Sequence, residues 1–125
     1  MGKTYEDYVR EALAIVSEVT VEQARLHFEA GPTAAVFLDV REPREVAKGA
    51  IPGALTIPRG RLESDAPDWV FDPEAPLVCY CNTGKRSALA VRTLLEMGFP
   101  GARSLQGGLA AWQATGAPLG EPRPM

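Results

Sequence analysis

The residues best suited to chemistry are two cysteines, Cys79 and Cys81, which stand one residue apart. A short apolar run ends at Cys81, crosses a polar turn containing Gly84, and enters a stretch with helical periodicity. Backbone amides and the helix dipole at such a junction favour negative charge. The pattern therefore predicts that Cys81 is a reactive thiolate at the start of a helix, whereas Cys79, inside the apolar run, is predicted to be a core residue.

Spacing separates this loop from two phosphate-binding motifs. A nucleotide P-loop needs Gly, four residues, then Gly-Lys-Ser/Thr, but Arg86 follows Gly84-Lys85 here and a cysteine holds position 79. A phosphatase-type loop places five residues between its cysteine and arginine, whereas only four separate Cys81 from Arg86. The loop therefore predicts neither nucleotide binding nor phosphate-ester chemistry, and an arsenate reductase or phosphatase is disfavoured.

Histidine and metal chemistry are disfavoured as well. A structural zinc site needs four ligands, and the pair Cys79 and Cys81 with one distant histidine, His27, does not supply them. His27 precedes the first long apolar run and is predicted to be a surface or packing residue. We therefore expect no metal and no cofactor, with the thiolate stabilised by amides, the helix dipole and nearby cations.

Composition limits the partners. The 125 residues are 46% hydrophobic, enough for one domain with a core, and the net charge of -3 lacks the basic footprint of a nucleic-acid or anionic-membrane binder. No run of about 18 apolar residues predicts a membrane span. Two closely spaced cysteines cannot staple a small secreted fold, so a reducing cytoplasmic location is expected.

Strands and helices alternate along the chain. Apolar spacing over residues 4–16 predicts an amphipathic helix, and Thr20 with Gln23 forms a capping box that predicts a helix over 21–30. Alternation of this kind predicts an α/β fold with a parallel sheet covered on both faces, and Cys81 falls at the carboxyl end of a strand, where ligands gather. The strands are predicted near 17–19, 34–40, 54–57, 77–81 and 102–105, and the later helices from 43, over 86–97 and from 108 to about 116.

Four segments in order resemble the signatures of a single-domain rhodanese. They are Asp39-Val-Arg-Glu-Pro-Arg-Glu, Gly49-Ala-Ile-Pro-Gly-Ala-Leu-Thr-Ile-Pro, Tyr80-Cys-Asn-Thr-Gly-Lys-Arg-Ser and Leu105-Gln-Gly-Gly-Leu-Ala-Ala-Trp. The resemblance covers about 19–119 and implies a five-stranded, mainly parallel, rhodanese-like α/β domain that is a sulfurtransferase, with Cys81 as its catalytic cysteine. An N-terminal helix over 1–17 lies outside it, the domain is expected over 18–119, and 120–125 is expected to be a loose tail. Ala50 stands where this family usually has histidine.

The resemblance also implies a reaction and its partners. Cys81 would take a sulfane sulfur from a small anionic donor such as thiosulfate and pass it from a persulfide to cyanide or a thiol. The alternative is a persulfide carrier or redox-interaction module that receives sulfur from a protein partner. Both hypotheses use Cys81 and need neither nucleic acid nor membrane.

The remaining candidate residues surround the nucleophile. Lys85 is expected to face substrate, whereas the guanidinium of Arg86 favours inward pairing with a carboxylate. Trp69 and Phe71 are candidates for one wall of the pocket. The substrate and persulfide loop is expected to comprise Asn82, Thr83, Gly84, Lys85, Arg86 and Ser87, supported by Asp39, Arg41 and Glu45, with Arg59 and Arg61 as candidate rim residues.

Overall fold

The computed structural model describes residues 2–124. Over this range the chain forms six α-helices, five β-strands and a 3-10 turn at Arg59–Arg61. The helices are α1 (Tyr5–Ile15), α2 (Val21–Ala30), α3 (Pro43–Val46), α4 (Leu62–Trp69), α5 (Lys85–Glu96) and α6 (Gly108–Ala114). The strands are β1 (Glu18–Val19), β2 (Val36–Asp39), β3 (Leu55–Thr56), β4 (Leu77–Tyr80) and β5 (Ala102–Leu105).

The five strands form one sheet in the order β1-β5-β4-β2-β3, and every neighbouring pair is parallel. The central strand, β4, aligns Tyr80 with Asp39 of β2 and Cys79 with Ser104 of β5. The carboxyl ends of β2, β4 and β5 therefore meet at one edge of the sheet. The predicted parallel α/β fold is confirmed.

Alternation along the strands separates two apolar cores. Leu38 and Cys79 face a core that includes α5 and α4, whereas Phe37 and Tyr80 face the core that includes α2 and α6. On the second side, the fully buried Trp112 packs edge-on against Phe37, with ring centroids 5.9 Å apart. Helices thus cover both faces, as the alternation of elements predicted.

The N-terminal helix α1 is present and packs on α5. Thr4 and Asp7 form a capping box at its start, and Val9 and Ala12 are buried on its inner face. Its outer face leaves Tyr5 and Tyr8 half exposed. The spacing of apolar residues therefore predicted the helix, but only part of its apolar stripe is buried.

The connection before β4, residues 61–76, is polar and contains prolines, so its sequence predicts no regular element. In the structure α4 occupies 62–69 and buries Leu62 and Ala66. Pro67 lies inside this helix. It removes only one backbone hydrogen bond, and its exposed position near the helix end lets water serve the freed carbonyl.

The aromatic residues of that segment are also placed differently. Trp69 and Phe71 line a groove with Val36 and Pro76, which lie at the amino ends of β2 and β4. Cys81 follows the opposite, carboxyl end of β4. The predicted contribution of Trp69 and Phe71 to a wall beside Cys81 was therefore wrong, because the direction of α4 carries them to the other edge of the sheet.

The C-terminal tail is held by backbone pairing. Gly120 and Ala50 exchange hydrogen bonds of 2.8 and 3.0 Å, and the Arg123 amide donates to the Ala54 carbonyl at 2.8 Å. The expectation of a loose tail is thus not met over 120–124, and Met125 lies outside the described residues. No helix within 2–124 combines the length and apolar character needed to cross a membrane. The domain limits of 18 and 119 remain a prediction.

Candidate active site

Cys81 lies directly after β4, and its side chain is buried, with a residue exposure of 1%. Gly84 has φ +100°, a left-handed conformation that favours glycine, and it turns the chain into α5. The turn brings loop amides back onto the sulfur. Cys81 Sγ accepts hydrogen bonds from the amide of Gly84 at 3.1 Å and from the amide of Ser87 at 3.4 Å.

These bonds favour negative charge on the sulfur. Burial raises the pKa of Cys81, but hydrogen bonds from the amide and hydroxyl of Ser87 and from the amides of Thr83 and Gly84 more than offset it. The net pKa of Cys81 lies below that of an ordinary thiol. Cys79, two residues earlier, has its pKa raised to about 12 by burial. The structure therefore distinguishes one activated thiol from one inert core thiol.

The loop backbone is anchored by the start of α6. The amide of Leu109 donates to the Cys81 carbonyl at 2.8 Å, and the amide of Ala110 donates to the Asn82 carbonyl at 3.0 Å. Gly108 allows this approach, since a Cβ there would lie 2.6 Å from the Cys81 carbonyl oxygen and its φ is +60°. This contact could not be predicted from the sequence, because it depends on β4 and β5 being neighbours.

Asp39 and Arg41 form a buried ion pair beside the loop. The guanidinium Nε and Nη2 of Arg41 donate to both carboxylate oxygens of Asp39, at 2.8–3.2 Å, and both residues are nearly inaccessible. Arg41 also donates to the Gly49 carbonyl at 2.7 Å and to Asn82 Oδ1 at 3.4 Å. The pair therefore links the end of β2 to the loop that follows β4.

Glu45 forms the second link. Its carboxylate accepts two hydrogen bonds from the guanidinium of Arg86, at 2.8 and 2.9 Å, and one from Asn82 Nδ2 at 3.0 Å. The Arg86 bonds, with a smaller contribution from the Glu42 amide, lower the pKa of Glu45 to about 2. Arg86 thus engages a carboxylate of α3, the geometry that a guanidinium favours.

The Glu45–Arg86 pair predicts an acid-sensitive contribution to stability. Because the pKa of Glu45 falls from 4.5 to about 2 on folding, its contribution is complete above about pH 4.5 and is lost as the pH falls through 2. Urea unfolding should show Glu45→Gln less stable than wild type at pH 6, with the difference shrinking steadily between pH 5 and 2. Glu22→Gln, on the exposed side of α2, is the control. A difference that stayed constant with pH would contradict the assignment.

The other predicted cations, Lys85, Arg59 and Arg61, bond to side chains of helices around the loop. Lys85 Nζ lies 3.0 Å from Glu6 Oε1 of α1, and both side chains are about half exposed. Arg59 hydrogen-bonds Thr93 at 3.4 Å, and Arg61 pairs with Asp65 at 2.8 Å. Arg59 therefore bonds to α5 and Arg61 to α4, and their role at a rim stays a prediction.

Sequence reasoning missed three neighbours of the loop. Glu6 belongs to the N-terminal helix, Gly108 starts α6 against the loop, and the buried Ser104 of β5 bonds the hydroxyl of Ser87 at 2.8 Å. Ser104 alone carried a visible signal, since it is a small polar residue in a strand predicted to be buried. The other two contacts depend on how distant segments pack.

The chain matches a known protein family over more than half of its length. The family model described as Rhodanese-like domain matches residues 20–115. A sulfurtransferase of Allochromatium vinosum is 33% identical over 87 residues, covering 70% of this chain and 79% of that protein. The chloroplastic thiosulfate sulfurtransferase 16 of Arabidopsis thaliana is 35% identical over 92 residues, covering 66% of this chain and 77% of that protein.

A solved structure is similar over nearly the full chain. It belongs to a Rhodopseudomonas palustris protein of unknown function, described as a possible tyrosine phosphatase. The two share 30% sequence identity with a TM-score of 0.81, and the match covers 96% of each chain.

Proposed function

We propose that this chain, which belongs to the rhodanese-like family, is an enzyme that transfers a sulfane sulfur through a persulfide on Cys81. The observation that carries the proposal is the environment of Cys81. Its sulfur accepts hydrogen bonds from two backbone amides at the start of α5, and its pKa is lowered. The sulfurtransferase names of the two relatives support the same chemistry, and one of them is a thiosulfate sulfurtransferase.

The first half-reaction forms one sulfur–sulfur bond and breaks another. The Cys81 thiolate attacks the outer sulfur of thiosulfate, and the bond between the two thiosulfate sulfurs breaks, with its electron pair leaving on sulfite. The product is a persulfide anion on Cys81, so no proton has to move. In the second half-reaction cyanide, or a thiolate, attacks the outer sulfur and Cys81 leaves as the thiolate.

The loop supports this reaction by stabilising charge on sulfur. Amides fixed by Gly84 and by the start of α5 meet an anion without reorganising, which is the general advantage of a preformed cradle. The supporting groups hold this loop, since Asn82 is bonded by both Arg41 and Glu45. Arg41 and Glu45 therefore act on the side chain of Asn82, and Asp39 acts through Arg41, rather than on the transferred sulfur.

Mass spectrometry and turnover test the proposal together. The purified chain is incubated with thiosulfate, and a gain of about 32 Da on the peptide bearing Cys81 is expected, followed by its loss and thiocyanate formation on addition of cyanide. An aryl phosphate serves as the negative control, because the loop has one residue fewer between Cys81 and Arg86 than a phosphatase loop. Absence of the added mass with every small sulfane donor, or Cys81-dependent phosphate release, would overturn the proposal.

A second candidate, the protein-fed persulfide carrier, is favoured by one observation. Both cations of the loop are engaged by carboxylates, Lys85 by Glu6 and Arg86 by Glu45. A free dianion therefore meets less positive charge at the loop than its sequence suggests. Slow thiocyanate formation from thiosulfate, with rapid loading of Cys81 from a persulfidated protein, would select the carrier.

Glu6→Gln tests how much this pairing restricts a small anionic donor. The substitution frees Lys85, so kcat/KM for thiosulfate is expected to rise on the order of two- to fivefold at low salt, with the gain shrinking as ionic strength increases. Glu11→Gln is the matched control. Glu11 lies on the same helix, and its carboxylate pairs with Lys3 and Arg92 instead of Lys85. An unchanged kcat/KM in Glu6→Gln would mean that Lys85 does not face the donor.

A further inference from the structure

Two buried hydroxyl groups lie in contact behind the nucleophile. Ser87, in the first turn of α5, and Ser104, on β5, are both fully buried, and their Oγ atoms are 2.8 Å apart. The Ser87 hydroxyl lies 3.6 Å from Cys81 Sγ. Ser104 reaches this position because β5 pairs with β4 in the register that aligns it with Cys79. The three side chains form a continuous line from β5 to the sulfur.

The donor and acceptor capacity of these groups sets the direction of the hydrogen bonds between them. A thiolate has no hydrogen and can only accept, so the single hydrogen of the Ser87 hydroxyl must point at the sulfur to stabilise it. The Ser87 oxygen is then free to accept from Ser104. In the reverse order, with a protonated Cys81 donating to Ser87 and Ser87 donating to Ser104, the Ser104 hydrogen loses its acceptor on Ser87. Leaving a buried donor unpaired is unfavourable.

We propose that Ser104 is a positioning residue that directs the hydroxyl hydrogen of Ser87 at the sulfur of Cys81 and so favours the thiolate over the thiol. This inference rests on the proposed role of Cys81 as the nucleophile. It applies at the two moments when the inner sulfur is charged, namely before sulfur is accepted and as the acceptor removes it. In the persulfide the charge lies on the outer sulfur, one bond removed from the sulfur that this hydroxyl pair contacts.

Hydrogen bonding and charge can be separated at this site. The charged group near the sulfur is Arg86, whose pKa is raised first by Glu45 and to a smaller extent by Cys81. Ser104 is uncharged and lies on a different element from both partners of that ion pair. A change at Ser104 therefore leaves the electrostatic contribution of Arg86 in place and alters only the hydroxyl line.

The pH dependence of alkylation tests the proposal on the full chain. The rate of iodoacetamide modification of Cys81 is followed by mass from pH 5 to 10, while Cys79, buried with its pKa raised to about 12, reacts slowly. In Ser104→Ala the midpoint should move to higher pH, and the thiolate fraction near the original midpoint should fall about threefold to tenfold, the effect expected of one hydrogen bond. Ser104→Thr keeps the hydroxyl and should retain the wild-type midpoint.

A double-mutant comparison separates positioning from general damage. Ser87→Ala should shift the midpoint at least as far as Ser104→Ala, and adding Ser104→Ala to Ser87→Ala should produce no further shift, because Ser104 acts through Ser87. Ser17→Ala, at a residue whose carbonyl accepts from the Ser104 amide, is the control and should match wild type.

Three results would overturn the inference. The midpoint could stay unchanged in Ser104→Ala, or Ser104→Ala could shift the midpoint equally whether position 87 carries serine or alanine. The third is a shift in Ser104→Thr as large as that in Ser104→Ala. Alkylation requires no sulfur donor. A protein that passes this test but never gains sulfur would therefore count against the proposed function and not against the role of Ser104.

Discussion

Cys81→Ser is expected to abolish sulfur transfer, with a loss of at least about a thousandfold in thiocyanate formation, as for removal of a nucleophile. The geometry around the side chain would be kept, but a serine hydroxyl stays protonated, whereas the lowered pKa of Cys81 favours its thiolate. The loop offers hydrogen-bond donors to the sulfur, which stabilise an anion and cannot remove a proton. The variant should also fail to gain about 32 Da from thiosulfate.

Cys79→Ala is the matched control. Cys79 stands two residues earlier on the same face of β4, is fully buried and has its pKa raised to about 12, so it should neither carry sulfur nor be required for turnover. Sulfur on Cys81→Ser, or a comparable loss of turnover in Cys79→Ala, would show that the nucleophile had been assigned to the wrong cysteine.

Asp39→Ala is expected to lower the free energy of unfolding by about 3–5 kcal/mol, the largest loss among the variants proposed for this protein. The cause is that the guanidinium of Arg41 stays buried without its charge partner. Arg41 is 4% exposed and Asp39 is inaccessible, so water cannot replace the lost carboxylate. Burial lowers the pKa of Arg41, but the hydrogen bonds and charge of Asp39 raise it above its usual value. A guanidinium stays protonated in proteins even without a carboxylate partner, so the cation would persist in the variant. Urea unfolding at pH 7 measures the loss.

Two further variants identify the cause. Asp65→Asn breaks the exposed pair with Arg61 and should cost less than about 1 kcal/mol. Adding Arg41→Met to Asp39→Ala removes the unpaired charge and should recover part of the lost free energy of unfolding. If Asp39→Ala cost no more than Asp65→Asn, the pair would not be the link between β2 and the loop that the contacts indicate.

Most of the helices and strands could be predicted because short stretches of sequence carry the signals for them. The capping box of Thr20 and Gln23 predicted the start of α2, and its observed bounds, Val21–Ala30, match the predicted range. The apolar run before Cys81 and the turn at Gly84 predicted β4 and the start of α5. Such signals depend on residues within one or two turns of each other, so no knowledge of packing is needed.

Other elements required the packed molecule. Residues 62–69 carry few apolar side chains and contain Pro67, so their local preference is weak, and the burial of Leu62 and Ala66 against α5 and its neighbours makes them helical. The tail is ordered for a similar reason, since Gly120 finds a backbone partner in Ala50, seventy residues away. Burial and pairing across such separations leave no pattern in a local window.

The same division applies to the candidate site. The sequence by itself predicted Cys81 as the nucleophile together with its loop, because a thiol, a glycine turn and a helix start are consecutive in the chain and their physics is local. Only the tertiary structure decided which groups surround that loop: Glu6 from α1 on Lys85, Glu45 from α3 on Arg86, and Ser104 from β5 behind Ser87. Each contact joins segments whose meeting depends on strand order and helix packing, which no spacing in the sequence encodes.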